Sequence, residues 1–173
     1  KTGKGPFGYG DGDETTRIDF GGNANAKHIT TYFRHVFMVN RHDTIPALSL
    51  QLLRDDGAVV YLNGQEIMRD NMPSPPAKIG HQTQASSVVD GHDEHHFYPF
   101  EIDPAGLIEG ANLLAVEVHQ ANRTSSDLRF DLKLVAHGGD TEEEAEPAPL
   151  QLLGPGVNAA DFRVTRFATG LDF

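Results

Sequence analysis

Two adjacent carboxylates, Asp55 and Asp56, stand between Arg54 and Gly57. Paired acids on a turn offer a hard cation several oxygen ligands. Acidic side chains and a glycine of positive φ are equally what a tight turn uses to satisfy its own backbone. The residues leave both readings open. A second group comprises Glu117 and His119, on one face of a strand, followed by Gln120, Asn122 and Ser125. A carboxylate, an imidazole and amides converging at a sheet edge would hydrogen-bond sugar hydroxyls. The alternative is that Glu117 pairs with a base on a neighbouring strand and Asn122 makes a turn. A third group is the run Asp90–His96, DGHDEHH. Metal sites usually draw ligands from more than one segment, and adjacent His95 and His96 in a strand would point to opposite faces. A solvated, pH-sensitive loop is the reading adopted here. Ser125 or Ser126 with His119 and Asp127 can be drawn as a triad, but all lie within nine residues, so their proximity is automatic. There is no Gly-x-Ser-x-Gly, no phosphate-binding glycine loop and no His-Glu-x-x-His. The domain is therefore expected not to be an enzyme.

These residues need a scaffold, and the stretch Leu50–Arg69, LQLLRDDGAVVYLNGQEIMR, supplies its centre. Leu48, Leu50 and Leu52 alternate with Ala47, Ser49 and Gln51, the period of a half-buried strand. Arg54–Gly57 reads as a charged turn. Ala58–Leu62 is a short apolar strand, and Asn63-Gly64 is the signature of a type I′ hairpin. Further strands are expected at Arg17–Phe20, Ile29–Val39, Phe97–Ile102, Leu113–His119 and Leu128–Val135, about eight in all. On Ile29–Val39 both faces look partly covered. Lys1–Gly12, with five glycines and a proline, reads as loop, and Asn71–Ser87, with three prolines, as a long polar loop either functional or merely mobile. Alternating strands without an amphipathic helix indicate an all-β jelly-roll β-sandwich.

The chain has 173 residues, 18 glycines, 10 prolines and no cysteine. That allows one domain with a real core, many turns, and neither disulfide nor thiolate metal site. The net charge of −11 argues against nucleic acid or an anionic membrane as partner. No stretch approaches the ~18 apolar residues of a membrane span. The module is expected over residues 1–137. Residues 138–149, with five acids and no base, read as a linker. Residues 150–173 read as a tail that extends away, pairs with a sheet edge, or begins a following β-propeller domain. Lys1 in first place suggests an excised piece of a longer protein.

The stretches FGYGDGDETTRIDFG, ITTYFRHVFMV, LLRDDGAVVYLNGQEIM and GANLLAVEVHQANRTSSDLRFDLKL together resemble the galactose-binding-like jelly rolls of secreted bacterial proteins. The resemblance implies a non-catalytic accessory module beside a metallophosphoesterase, sugar-oxidising or other extracellular catalytic domain. It implies secretion or a periplasmic location; since jelly rolls of this kind also serve as structural and interaction domains, a glycan or polysaccharide is the partner expected from the polar loops of this sequence. It also implies one structural Ca²⁺ between an early loop and a late strand, which here matches Asp11, Asp13 and Asp131. Asp55-Asp56-Gly57 further resembles the paired aspartates of PA14-type lectins, which hold calcium beside a sugar. The expected sugar-binding residues are Arg54, Asp55, Asp56, His119, Gln120 and Asn122, provided that their two loops meet at one end of the sandwich. The alternative is a structural module that docks a neighbouring domain or another copy of itself.

Overall fold

The computed structural model describes residues 2–137 and the strand Leu171–Asp172. Ten strands follow in chain order: β1 (Phe7–Tyr9), β2 (Thr16–Arg17), β3 (Thr30–Val39), β4 (Ala47–Asp55), β5 (Gly57–Leu62), β6 (Gln65–Asp70), β7 (Tyr98–Ile102), β8 (Gly110–His119), β9 (Leu128–His137) and β10 (Leu171–Asp172). They form two sheets packed as a jelly-roll-like sandwich. One runs β2-β1-β9-β4-β7, with β10 also on β9; the other runs β3-β8-β5-β6. Between them lie the alternating residues of both sheets: Leu48, Leu50 and Leu52 of β4, Val60 and Leu62 of β5, Leu114, Val116 and Val118 of β8, and Phe130, Leu132 and Leu134 of β9. Each contributes roughly 1.5–3 kcal/mol by leaving water. The Phe33 ring packs at a tilt against Phe130 at 4.3 Å and Phe7 at 5.3 Å, so β3 and β1 close one side of this core.

The hairpin forms as its residues require, with Asn63 at φ 52° and Gly64 at φ 83°. Asn63 also anchors its surroundings: its Nδ2 donates to Gly106 O and Asn112 Oδ1, and its Oδ1 accepts from Leu113 N. Three expectations need correction. Phe7–Tyr9 is not loop but a strand on β9, and glycine makes it so: a Cβ on Gly8 would sit 2.1 Å from Leu128 O. On β3 one face is open, with Tyr32, Val36 and Met38 more than half exposed. Arg54–Gly57 is not a surface turn. β4 runs on to Asp55, and β5 begins at Gly57 in the other sheet, so these residues cross between sheets and all four are buried.

The long segment after β6 packs rather than hanging free. Met72 and Ala85 bury Val59 on the outer face of β5, with Tyr61, Ile79 and Ala121 around them. Arg69 Nη1 donates to Pro73 O and Ala77 O, fixing the first half of the segment. Of the tail, Leu171 and Asp172 pair antiparallel with Leu134 and Lys133 of this chain's own β9. The expected linker and the remainder of the tail lie outside the described residues. No helix among the described residues is long and apolar enough to cross a membrane.

Candidate functional site

The crossover brings the two expected loops together. Asp56 Oδ2 accepts from Ala121 N and Asp56 Oδ1 from Val89 N, both at 2.7 Å. Asn71 Nδ2 donates to Asp56 O and to Ser87 O. Asp56 is fully buried, and its two carboxylate oxygens fasten three segments to one another. The peptide bond joining it to Asp55 is cis.

Most of the expected sugar-binding residues are engaged within the fold. Arg54 reaches across the end of the sandwich to Asp70, with both Nε and Nη2 at 2.6 Å from its Oδ2, and lies over the Tyr98 ring. His119 is fully buried. Its Nδ1 lies 2.9 Å from Thr30 Oγ1 and 2.7 Å from Thr83 O, while Nε2 lies 3.1 Å from Glu117 Oε2. Gln120, also fully buried, donates from Nε2 to Tyr9 Oη and Asp127 O, so it holds the end of its own loop. Asn122 Oδ1 accepts from Thr124 N and Thr124 Oγ1, a local turn. The physical reason is the same throughout: the loops close an end of the sandwich instead of standing above it.

Asp55 differs. It is 1% exposed, no N–H or hydroxyl donor reaches its carboxylate oxygens, and the group within hydrogen-bond reach of it is the Asp56 carboxylate. It is the Cα partner of Arg129, so both side chains leave the same face of the sheet, where Arg129 pairs with Asp13 and lies 4.0 Å from Asp11. On that face Asp11, Glu94 and Asp127 each place a carboxylate oxygen within 4.8 Å of the others. Glycine again allows the approach: at Gly10, φ 114°, a Cβ would lie 2.5 Å from Asp127 Cβ. Glu94 arrives on the 3-10 turn Gly91–His95. Burial pushes the Asp55 carboxyl up to about 9, with the charges of Asp56, Asp127 and Glu94 adding to it. Burial and neighbouring acids likewise raise Asp11 and Glu94.

The acids expected to share calcium do not gather as a set. Asp13 is taken by Arg129, and Asp131 accepts from Leu132 N and lies against Gly5. Asp11 instead meets Glu94 and Asp127. The sequence reading did not place either of these in a site. The one available signal was that Asp90–His96 and Asp127 are acidic segments flanking strands, which specifies no meeting point.

A cleft is lined by Lys27, His28, Tyr32, His81, Gln82 and Arg123, among others. Tyr32 is 54% exposed. Arg123 Nη2 donates to Gln82 Oε1, and Lys27 Nζ to Ser125 O beneath. Lys27 also sits over the Tyr9 and Phe20 rings, at 5.8 and 5.6 Å. The cleft floor is thus tied to the core while its aromatic ring and guanidinium face outward.

No protein-family model and no curated protein matches the chain. Among solved structures, an α-L-rhamnosidase from Aspergillus terreus is similar at 16% identity and TM-score 0.43, over 71% of this chain and 14% of that one. A Streptomyces avermitilis α-L-rhamnosidase complexed with L-rhamnose is similar at 20% identity and TM-score 0.42, over 72% and 11%. A β-D-mannosidase from Dictyoglomus thermophilum is similar at 19% identity and TM-score 0.34, over 52% and 9%.

Proposed function

We propose that the chain is a non-catalytic, carbohydrate-binding accessory module of a larger secreted protein, and that the sugar sits in the Tyr32 cleft. The observation that carries this reading is an exposed tyrosine ring beside outward-facing polar side chains on a rigid floor. Sugar rings offer an apolar face that packs on an aromatic and hydroxyls that need both donors and acceptors. Tyr32 supplies the first. His28, His81, Gln82 and Arg123 supply the second. The non-catalytic part is supported by His119, whose ring nitrogens are both occupied within the fold and which is closed to solvent. It has no free nitrogen with which to act as a base for Ser125 or Ser126.

A glycan array probed with the full chain tests the reading. Binding above background is expected, with Tyr32→Ala and Arg123→Ala each losing about tenfold or more while melting stays within a degree or so of wild type, as for exposed substitutions of ~0.5 kcal/mol or less. An array without signal sinks the carbohydrate assignment. The alternative, a docking module, draws on Val36, Met38 and Leu113, which extend the exposed apolar strip beyond Tyr32. It predicts instead that Met38→Lys breaks association with a neighbouring domain or second copy.

A further inference from the structure

Among the described residues, every sheet edge of this fold is guarded except one. β2 and β10 have two residues each. β7 has five, with Pro99 among them. β6 carries Glu66, Arg69 and Asp70, and its register with β5 shifts between Val60 and Tyr61. Short strands, proline, charge and bulges are the means by which an edge avoids pairing with another chain. β3 is the outermost strand of its sheet and uses almost none of them. It has ten residues, no proline, no acid and an unbroken register with β8, and Arg34 is its one fixed charge. Gln120 N donates to Ile29 O, so Ile29 and Gln120 form a hydrogen-bonded pair of the antiparallel ladder. Such pairs alternate along a ladder. By this register Tyr32, Arg34, Val36 and Met38 turn their N–H and C=O groups away from β8, where no described residue hydrogen-bonds them. The same four side chains stand exposed on the outer face.

We propose that this edge pairs with the same edge of a second copy of the chain, antiparallel about a two-fold axis through His35, so that two four-stranded sheets join into one. Both strands offer their free groups only in registers that set even-numbered residues opposite even-numbered ones. Centring on Arg34 would set two guanidiniums against each other, a destabilising pair. Centring on Val36 would leave Tyr32 opposite a residue beyond the end of the strand. Centring on His35 sets Tyr32 opposite Met38 of the second copy and Val36 opposite Arg34 of the second copy. The thioether then lies beside the ring, and the valine methyl groups beside the arginine stem. Each such pair exchanges two backbone hydrogen bonds. His35 meets its own counterpart at the axis. Burial holds its imidazole below the ordinary range, so the two face each other uncharged at neutral pH. The symmetry closes the assembly at two, because pairing uses up the edge.

The inference rests on the edge and not on the carbohydrate reading, since pairing in the plane of the sheet leaves the outer face and its cleft open. Sedimentation velocity of the full chain from about 1 to 300 μM, in ~0.15 M salt to screen the net charge of −11, tests it. A reversible monomer–dimer equilibrium is expected, with a dissociation constant of about 10–100 μM for an interface this small. Val36→Lys should weaken the dimer about tenfold, because it sets a second cation opposite Arg34 twice across the axis. Val36→Glu should tighten it about threefold, because it sets an anion there. Val36 is exposed, so both variants should melt within a degree or so of wild type at ~1 μM. A wild-type chain that stays monomeric at the highest concentration would overturn the proposal and leave the edge to a neighbouring domain. So would assemblies larger than a dimer. A dimer that both variants weaken alike, or that neither changes, would also overturn it, since the contact would then lie in another register or elsewhere. An empty glycan array alongside the expected dimer would drop the carbohydrate reading and keep this one.

Discussion

The two sides of the Asp55–Asp56 crossover are built from the same chemistry and finished differently. On the side of the segment Asn71–Val89, Asp56 meets two backbone N–H donors, and Met72 and Ala85 seal the apolar ground around Val59. On the side of Asp11, Glu94 and Asp127, Asp55 meets only other carboxylates. Both aspartates are excluded from water. Burial therefore does not decide whether a carboxylate is satisfied; the direction of the nearest donors does. A carboxylate with two N–H donors is complete. One with none waits for a cation or a proton.

Three substitutions sharpen that contrast. Asp56→Ala should have the largest effect, about 3–5 kcal/mol of lost stability, because it removes two charge-assisted hydrogen bonds and leaves Val89 N and Ala121 N without acceptors. Denaturant melts measure it, and a loss under ~1 kcal/mol would mean that the three segments are held by something else. Met72→Ala comes next, at about 2–3 kcal/mol, since it hollows the small core under the segment. Amide exchange should quicken at Ala85 and Ser86, whose N–H groups donate to Gln120 O and Asn71 O. Asp55→Asn is the smallest and has the opposite sign. At neutral pH the amide removes the cost of holding a buried carboxyl protonated far above its ordinary range, so the melting temperature should rise by a few degrees, in line with ~1 kcal/mol. A fall would show that the carboxyl has a favourable partner that the amide cannot replace.

Most of the scaffold was legible in the chain because its strands alternate cleanly and its hairpin carries Asn63-Gly64. β1 was not, since glycine density reads as loop, whereas Gly8 is present so that β1 can approach Leu128 O. The crossover read as a turn because charge usually marks a surface; here Arg54 and Asp56 are charged and buried because each is fully or partly paired across the end of the sandwich. The meeting of the Arg54–Gly57 and Gln120–Asp127 stretches was anticipated as a condition, and the structure brings them together. The acid cluster had no such signal. Positions 11, 55, 94 and 127 share neither spacing nor periodicity, and only the assembled sheet makes them neighbours.

The pairing of β1 with β9 sets how the module would carry load. The strands are antiparallel, with Phe7 opposite Phe130 and Tyr9 opposite Leu128. The chain thus enters β1 at Phe7, opposite Phe130, and β9 runs on from Phe130 towards His137, so both strands leave this ladder at the same end. Tension drawn between these two departures pulls on the ladder from one end. Its hydrogen bonds are then loaded in turn rather than together, as when tape is peeled rather than slid, and the first to yield is the pair at Phe7 and Phe130.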